Sequence, residues 1–545
     1  YLQNGSADRG QLQKLFLKAR LAYKKFEWAA EYFEPSASRL VNGPPVEEVE
    51  NSGQVLQPAG LQVMENMIFP VFDTARKKDL LAQVDILQKA CVKYTSHFAH
   101  IDIFDWQVFD AAKLEVYRIM TLGIAGFDDP LTQKSMLESA TSLESLKNIL
   151  SFYTAKNPDD HLPAQFDKAI NYLEKNNDFN ASNRMEFIRS FANPITAGIS
   201  VTEERLKIPV TYYPRLLNQD AKTLFDTNAF NINAYAPDPS SFLTREKIEL
   251  GKILFADPSL SGNGKRSCQS CHQPDKAFAD GLAKNTIIGE RGFLPRNTPT
   301  LINAALQPSL FYDLRVRSLE DQSRTVVQSM QEMHGSMSLS VKRLWHDAAY
   351  RQLFIAAFPE KDKNCIDTFE VMNAIGSYVR SLVMLNSRFD AYMRGEDNKA
   401  MNDQEVSGFN LFMGKAKCGT CHYMPLFSGN FPPRYVKMES EVIGVPETVE
   451  GKAIDPDMGR YNIQQTESFR HGFKTPSLRN INRTAPYMHN GVYQTLEQVM
   501  DFYNKGGGRG LNLKIDNQTL PFDSLGLNKT EIREIIAFMR TLDSR

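Results

Sequence analysis

The sequence predicts a mainly α-helical protein, in which an amino-terminal helical bundle precedes two smaller modules. Three observations lead to this fold class. Apolar residues recur at helical spacing through the first 205 of the 545 residues. Beyond about residue 235, short helical patterns alternate with long loops rich in Gly, Pro and Asn. A Cys-x-x-Cys-His pattern also occurs twice in this later part. We therefore expect a bundle, a linker and two modules, with boundaries at 1–205, 206–235, 236–390 and 391–545.

The composition is that of an ordinary globular protein, with 42% hydrophobic and 23% charged residues. A net charge of −1 gives no reason to expect nucleic acid or an anionic membrane surface as the partner. No apolar run approaches the roughly 18 residues of a membrane-spanning helix. The sequence begins at Tyr1 rather than Met, which is compatible with removal of an export signal, and it leaves a lipid anchor open.

The first predicted helix illustrates the pattern of the bundle. Its apolar residues share one face: Leu12, Leu15, Phe16, Ala19, Tyr23 and Phe26. Lys24 and Lys25 fall on the opposite side, where we expect solvent. Further along, His97 and His100 share a helix face, for which a structural role is favoured over a metal site. The role of the bundle is not predicted, although "PAGLQVMENMIFP" resembles a helix of imelysin-type bundles.

The two cysteine motifs are the most specific feature of the sequence. "RSCQSCHQP" contains Cys268, Cys271 and His272, and "KAKCGTCHYMP" contains Cys418, Cys421 and His422. A similar phrase precedes each motif, "LGKILFADPSLSGNGKRSC" and "GFNLFMGKAKC", which indicates two copies of one module. The two remaining cysteines, Cys91 and Cys365, are far apart in sequence, so we expect no disulfide framework and interpret both as buried small hydrophobic residues.

The chemistry of this motif favours haem. Residues at i, i+3 and i+4 of a helical turn share a face, so two thiols and an imidazole can approach one flat object together. In c-type haem the thiols add to the vinyl groups, and the histidine ligates the iron. With 6 cysteines and 9 histidines in the chain, roughly 0.001 such patterns are expected by chance, and two are present.

Zinc and a redox dithiol are the alternatives to haem. Zinc ribbons usually place their cysteine pairs about 15–20 residues apart and do not require a histidine after each pair. A redox dithiol would accompany a βαβ pattern, which this sequence lacks. We therefore predict two covalently bound haems, and with them a periplasmic or otherwise extracytoplasmic location.

Residues 236–545 resemble the bacterial di-haem cytochrome c peroxidase family, which includes MauG-type enzymes. The resemblance is carried by "LGKILFADPSLSGNGKRSCQSCHQPDKAFADG", "PRNTPTLINAA", "DQEVSGFNLFMGKAKCGTCH" and "FKTPSLRNINRTAPYMHNGVYQTLEQVMDFYNKGG". It implies two cytochrome-c-like domains. In the family the first haem reduces hydrogen peroxide, and the second receives electrons from a small redox protein such as a cytochrome c or a cupredoxin. It also implies a calcium ion between the haems and is compatible with a homodimer.

The resemblance assigns roles to residues near the first haem. The peroxide-side Gln and Glu correspond to Gln322 and Glu332, and a carboxylate there could transfer a proton between the two peroxide oxygens. Tyr312 stands where a Trp typically lies between the haems. The calcium ligands correspond to Asn297 and to the carbonyls of Thr484 and Pro486, and oxygen ligands of this kind suit calcium.

Both haems depart from the usual family pattern. Members that need reductive activation carry a histidine in the loop after the first haem; here that loop has none, so we expect an open first iron. His334 is the nearest alternative ligand, with a surface role equally compatible. At the second haem the sixth ligand corresponds to Tyr503, as in MauG, where the peroxidases carry Met; Met500 competes one turn away, and both could instead be core residues. His489 is interpreted as a neighbour of this haem. Because phenolate favours Fe(III), Tyr503 would lower the haem potential.

Three functions fit these features. The leading one is an exported di-haem peroxidase that reduces hydrogen peroxide to water, with Glu332, Gln322 and Tyr312 as the catalytic residues. The second is a MauG-like oxidase that modifies a protein or a small molecule through high-valent iron, which Tyr503 and the missing loop histidine favour. The third is a non-enzymatic electron carrier or sensor, which would need two six-coordinate irons.

Overall fold

The computed structural model describes residues 9–49, 54–155, 160–360, 366–521 and 523–545. Over these ranges the protein is mainly α-helical, which confirms the predicted fold class. The strands found there form two short antiparallel pairs: β1 (Glu48–Val49) with β2 (Val55–Leu56), and β3 (Ser440–Glu441) with β4 (Phe473–Lys474). Within the same ranges, no helix combines the length and the apolar character needed to cross a bilayer.

The helices are dense in the amino-terminal part and sparser beyond it. The amino-terminal part contains α1 (Arg9–Lys24), α2 (Glu27–Phe33), α3 (Pro35–Asn42), α4 (Leu61–Ile68), α5 (Lys77–Phe98), α6 (Asp105–Thr121), α7 (Ser135–Thr154), α8 (Leu162–Lys175), α9 (Arg184–Phe187) and α10 (Asn193–Leu206). The remainder contains α11 (Arg245–Ala256), α12 (Leu319–Gln328), α13 (Met337–His346), α14 (Ala348–Ala357), α15 (Thr368–Arg380), α16 (Arg388–Met393), α17 (Asp403–Met413), α18 (Tyr461–Gln464), α19 (Leu496–Asn504), α20 (Gly507–Gly510) and α21 (Lys529–Arg540).

Helix α1 corrects the predicted solvent face of the bundle. Lys24 was expected in solvent, yet it is only 4% exposed, and its ammonium group donates to Glu27 at 2.8 Å and to Asp128 at 2.5 Å. Arg20 is buried beside it and forms a two-pronged ion pair with Glu138 at 2.5 and 2.7 Å. The expected exposure of Lys24 is wrong because apolar periodicity does not show which cations are buried against carboxylates from distant helices.

The segment predicted as a linker is packed into the protein. Several of its apolar side chains are buried: Leu216, Leu217, Ala221, Leu224, Phe225, Ala229 and Phe230. The Phe225 ring meets Phe389 at 5.9 Å, and the Phe230 ring meets Tyr435 at 5.7 Å. The Tyr235 hydroxyl donates to the Tyr435 carbonyl. This segment therefore joins the bundle to the last third of the chain through burial rather than through a free tether.

The bundle and the second module share one apolar core. Its buried members include Phe109, Leu143 and Ile195 of the bundle together with Phe409, Phe412 and Phe538 of the second module. Polar contacts reinforce this junction at α17: the Met185 N–H donates to Asn410 Oδ1 at 3.1 Å, and the Asn410 amide donates to Asn183 at 3.0 Å. The helix that leads into the second cysteine motif is thus held by the bundle.

Two helix crossings repeat between the modules. Helix α11 packs on α15, and α17 packs on α21. Each crossing is closed by a glycine: a Cβ on Gly251 would lie 1.9 Å from the Ala374 carbonyl oxygen, and one on Gly408 would lie 1.9 Å from that of Glu534. The backbones approach so closely only because these residues have no side chain. This shared geometry supports the predicted duplication, while the domain boundaries stay a prediction.

The prediction of two buried spare cysteines is wrong for one of them. Cys91 is exposed on α5, because the apolar face of that helix turns away from it. Cys365 lies outside the described residues. His97, on the same helix, is within 2.9 Å of Glu34, which agrees with a structural role.

Candidate functional site

The two Cys-x-x-Cys-His motifs adopt the same local structure. Each begins with a single 3₁₀ turn, Cys268–Ser270 in the first and Cys418–Thr420 in the second. In each motif the backbone N–H of the histidine donates a hydrogen bond of 2.9 Å to the carbonyl of the first cysteine, Cys268 or Cys418. At the second motif both thiols and the imidazole line one cavity, as predicted from their spacing.

Each motif histidine is oriented by backbone carbonyls. His272 Nδ1 lies 3.0 Å from the Phe278 carbonyl, and His422 Nδ1 lies 3.3 Å from that of Phe427 and 3.1 Å from that of Pro476. A hydrogen bond from Nδ1 leaves Nε2 to bind a metal. Desolvation lowers the pKa of His272, and it lowers that of His422 to about 4, so both rings are neutral and suited to ligate iron.

The motif thiols are not tuned as a redox pair. Burial raises the pKa of Cys268 to about 12, of Cys271 to about 11 and of Cys418 to about 12. A reactive dithiol needs a lowered thiol pKa, because the thiolate is the attacking species. These sites therefore fit thiols that become thioethers.

A cavity of about 1050 Å³ opens at the second motif. Its wall contains the whole motif, Cys418, Cys421 and His422, and faces of α19 and β3. Two thiols, one neutral imidazole and a largely apolar wall of this size fit a covalently bound haem.

Helix α19 supplies the opposite wall of the cavity. Thr495 caps this helix and forms the predicted capping box with Gln498. The predicted face, with Leu496, Val499, Met500 and Tyr503, lines the cavity. Burial and the nearby cysteines raise the pKa of Tyr503, so its phenol would ionise only beside a strong positive charge. Both candidate sixth ligands face the site, and the choice of Tyr503 over Met500 stays a prediction.

Of the two candidate peroxide-side residues, Glu332 lies close to the first motif, while the position of Gln322 beside it stays a prediction. Gln322 is half-buried on α12, and Glu332 is half-buried in the turn that follows that helix. Burial raises the pKa of the Glu332 carboxyl. The same carboxylate raises the pKa of Cys271, which places it beside the first haem attachment. The Arg266 guanidinium donates 3.0 Å to the Glu332 carbonyl and so holds this turn near the motif. His334, two residues further on, is exposed, which favours the surface role over the role of an iron ligand.

Tyr312 lies at the junction of the two modules. Its carbonyl accepts a hydrogen bond of 2.7 Å from the Lys474 N–H on β4. Its side chain lines the second cavity, and burial raises its pKa. The carboxylate of Asp280 acts on the pKa of both Tyr312 and His272, which places Tyr312 toward the first motif as well. This position agrees with a role between the two haems.

The predicted calcium residues line the same cavity. Asn297, Thr484 and Pro486 all line the second cavity, and the Asn297 N–H donates 2.7 Å to the His489 carbonyl. The Asn297 amide nitrogen donates to Leu282 at 2.8 Å, which leaves its oxygen as an acceptor. In the described ranges no group of three or more His, Cys, Asp or Glu side chains could hold a metal. A calcium site made of an amide and carbonyls stays a prediction.

Sequence reasoning missed several charged residues at the junction. Arg296 pairs with Asp313 of its own module and with Asp457 of the second, each at 2.6 Å. His489, predicted from the sequence as a neighbour of the second haem, lines the second cavity. Its contacts were not foreseen: it lies 3.3 Å from Asp455 and stacks on Phe473 with ring centroids 3.6 Å apart. Arg296 is adjacent to Asn297 in the quoted "PRN" phrase, but its partner Asp457 lies 161 residues further along the chain.

Two further residues of the second cavity were also missed. Glu441, on β3, is beside Cys421, and burial raises its pKa to about 7. Lys474, on β4, is buried in the cavity wall, and its ammonium donates 2.6 Å to Gln307 Oε1. Short strands of two residues leave no periodic pattern, so no sequence signal pointed to either residue.

Comparisons with known proteins agree with this geometry. A family model described as di-haem cytochrome c peroxidase matches residues 245–398. The chain is 35% identical over 300 residues to methylamine utilization protein MauG of Methylorubrum extorquens, which covers 55% of this chain and 79% of that protein. It is 33% identical over 314 residues to a cytochrome-c peroxidase of Denitromonas iodatirespirans, with 54% of this chain and 81% of that protein covered.

A solved structure is similar as well. It is described as a MauG-like protein associated with microbial copper homeostasis, and it is 30% identical to this chain with a TM-score of 0.50. The match covers 57% of this chain and 94% of that one. The similarity therefore extends over nearly the whole of that MauG-like structure.

Proposed function

Because this chain belongs to the di-haem cytochrome c peroxidase and MauG family, we propose that it reduces hydrogen peroxide to water with electrons from a small redox protein. As a member it is an oxidoreductase with two covalently bound c-type haems. Haem attachment of this type takes place outside the cytoplasm, so we place the protein in the periplasm or an equivalent compartment. We propose a cytochrome c or a cupredoxin as the electron donor. A homodimer is also part of the proposal.

One observation carries the assignment of roles to the two sites. The motifs have equal geometry, yet Glu332 lies beside the first, while α19 covers the second with Tyr503 and Met500. The site with a half-buried carboxylate suits proton transfer to peroxide. The site covered by a candidate sixth ligand suits electron entry.

The chain's own residues account for the proton movements. When bound, haem supplies the iron that polarises peroxide and relays electrons. Glu332 takes a proton from the near oxygen of peroxide and returns it to the far oxygen, which leaves as water. The Gln322 amide orients the peroxide beside this carboxylate. Tyr312 provides an oxidisable side chain between the sites, and its burial keeps the phenol protonated until it is oxidised.

A MauG-like oxidase is the second candidate. It is favoured by the 35% identity to a MauG protein, by Tyr503 in the second cavity and by the absence of histidine from the loop after His272. A non-enzymatic electron carrier has less support, because these relatives are named as peroxidases or as a methylamine utilization protein.

Peroxide turnover with a reduced cytochrome c separates the two enzymes. A peroxidase should oxidise two donor equivalents for each peroxide through many cycles. An oxidase should consume peroxide while donor oxidation stays at the level of a peroxide-free control. The ferric absorption spectrum, recorded before any reduction, is the control: a high-spin component would indicate an open coordination position at the first haem. A fully low-spin spectrum, together with no peroxide consumption, would contradict both enzymes.

A further inference from the structure

One buried cation in the second cavity lacks an anionic partner. Lys474 is 9% exposed, and its ammonium contacts the neutral oxygen of Gln307 at 2.6 Å. In the described parts of the chain it forms no ion pair with a carboxylate. An ammonium has three donors, so this contact leaves donors unused. A buried charge without a partner is strongly unfavourable, which indicates that a ligand completes the site.

The other cations of the cavity do not share this situation. Lys417 is half-buried and Lys514 is exposed, so water can compensate their charges. Lys437 pairs with Glu48 at 2.6 Å and with Glu439 at 3.0 Å. Arg470 pairs with Glu467 at 2.8 Å. Arg460 lies 3.7 Å over the Phe469 ring and donates 2.9 Å to the Ser440 hydroxyl, so a ring face and a hydroxyl compensate its charge. Lys474 is therefore the cavity residue that most needs an external anion.

The backbone around Lys474 fixes its position. Its N–H donates to the Tyr312 carbonyl at 2.7 Å, and its ammonium reaches Gln307 of the same module. Two residues further along, the Pro476 carbonyl accepts from His422. The strand thus links the histidine of the second motif to the first module, with the ammonium in the wall between them. Burial lowers the pKa of Lys474 to about 8, and the Asp313 carboxylate, which raises it, offsets this only in part. Asp313 is itself paired with Arg296 and Arg315.

We propose that Lys474 binds a propionate carboxylate of the haem attached at Cys418 and Cys421. Gln307 is the positioning residue that holds the ammonium toward the cavity. The pairing neutralises one negative charge beside the second iron. It also makes the junction of the modules sensitive to whether that haem is in place. The inference rests on haem attachment at the second motif and is independent of whether the enzyme acts as peroxidase or oxidase.

The test is an optical redox titration of the full-length di-haem protein, with Lys474→Met and Lys474→Arg compared with the parent. Loss of the positive charge leaves the propionate uncompensated and stabilises the ferric state. At the parent's midpoint potential we expect the ratio of reduced to oxidised second haem to fall about tenfold in Lys474→Met, which is ~59 mV for a one-electron couple. Lys474→Arg should stay within about twofold, because its charge is retained.

Matched controls keep the result interpretable. Lys529→Met removes an exposed lysine of the second module that lies outside the cavity wall, and it should leave both potentials unchanged. If Lys474→Met does not mature with haem, Lys474→Gln removes the charge while keeping polarity and serves the same test. An unchanged second-haem potential in the neutral variant would overturn the proposal. So would a shift confined to the first haem. Donor oxidation plays no part in this readout, so a failure here is separable from a failure of the proposed enzyme activity.

Discussion

At the scale of single residues, the two motif histidines show how little of the chain is needed to prepare a haem ligand. Each ring is oriented by one or two backbone carbonyls, which lie within a few residues or, for Pro476, just after β4. The surrounding burial keeps both His272 and His422 neutral. The motif spacing was sufficient to predict both histidines as haem ligands, whereas the carbonyls that orient them were found only in the structure.

Glu332 gives the sharpest prediction at the proposed peroxide site. Glu332→Gln removes the proton-accepting carboxylate and should slow peroxide turnover by on the order of 10²–10⁴-fold, since general acid–base catalysis contributes that much. Both haem spectra should remain in place. The neighbouring Gln331→Ala changes an exposed side chain and is the matched control. Equal turnover in the two variants would remove Glu332 from the mechanism.

The pH dependence of the same reaction follows from the raised pKa of Glu332. The carboxylate must be ionised to accept a proton, so activity should rise with pH through its pKa. That rise should lie above the ordinary glutamate value of about 4.3. It should disappear in Glu332→Gln. A profile of kcat/KM for peroxide in both proteins checks this, and a limb that survives the substitution would belong to another group.

Tyr503 and Met500 can be separated by substitution at the second site. If Tyr503 is the ligand, Tyr503→Phe should change the absorption spectrum of the second haem and raise its potential, because phenolate stabilises Fe(III). Met500→Leu, which preserves volume on the same helix face, should then leave the spectrum unchanged. The reverse result would assign Met500 as the ligand.

At the scale of elements, the helix crossings beside the two motifs depend on glycine. Gly251 and Gly408 each lie where a Cβ would be 1.9 Å from a carbonyl oxygen of the partner helix. The phrases "LGKILF" and "GFNLF" were recognisable as a repeat in the sequence. The reason for the glycine in each phrase was not, because the partner helices α15 and α21 follow more than 100 residues later. The capping box of α19 was predictable because all its atoms come from four consecutive residues.

Gly408→Ala tests the second crossing. In an exposed helix this change would stabilise by up to about 1 kcal/mol, because alanine is the better helix former. Here the overpacked contact should lower the free energy of unfolding by about 1–3 kcal/mol. Thermal unfolding followed at the second haem band measures it. Gln404→Ala, exposed on the same helix, is the control. Equal midpoints for the two variants would show that α17 and α21 can separate without cost.

At the scale of the whole molecule, the bundle is part of the second haem site. The Phe127 ring of the bundle lies 6.2 Å from Tyr423, the residue after His422, and 5.7 Å from Phe431. Phe127 and Phe179 both line the second cavity. The Arg434 guanidinium also donates 2.7 Å to the Tyr32 carbonyl. The bundle therefore excludes solvent from one side of this site.

Phe127→Ala should disturb the second haem from within the bundle. Each aromatic pair contributes about 0.5–1.5 kcal/mol, so the loss of two pairs should destabilise the protein by about 1–3 kcal/mol. The absorption band of the second haem should shift, and its thermal midpoint should fall together with the helical circular dichroism signal. Phe152→Ala, 79% exposed on α7, provides the control. A second haem that unfolds unaffected by Phe127→Ala would show that the bundle is independent of it.

The sequence by itself determined the mainly helical class, the two sites of covalent haem attachment and the family. These follow from residues within a few positions of one another, where spacing dictates which groups can meet. Only the tertiary structure decided that the bundle shares its core with the second module, that Lys24 is buried among carboxylates, and that Lys474 faces the cavity without a counter-ion. Each of these depends on contacts between residues more than 100 positions apart, and no local pattern records such contacts because packing and charge compensation act across the folded molecule.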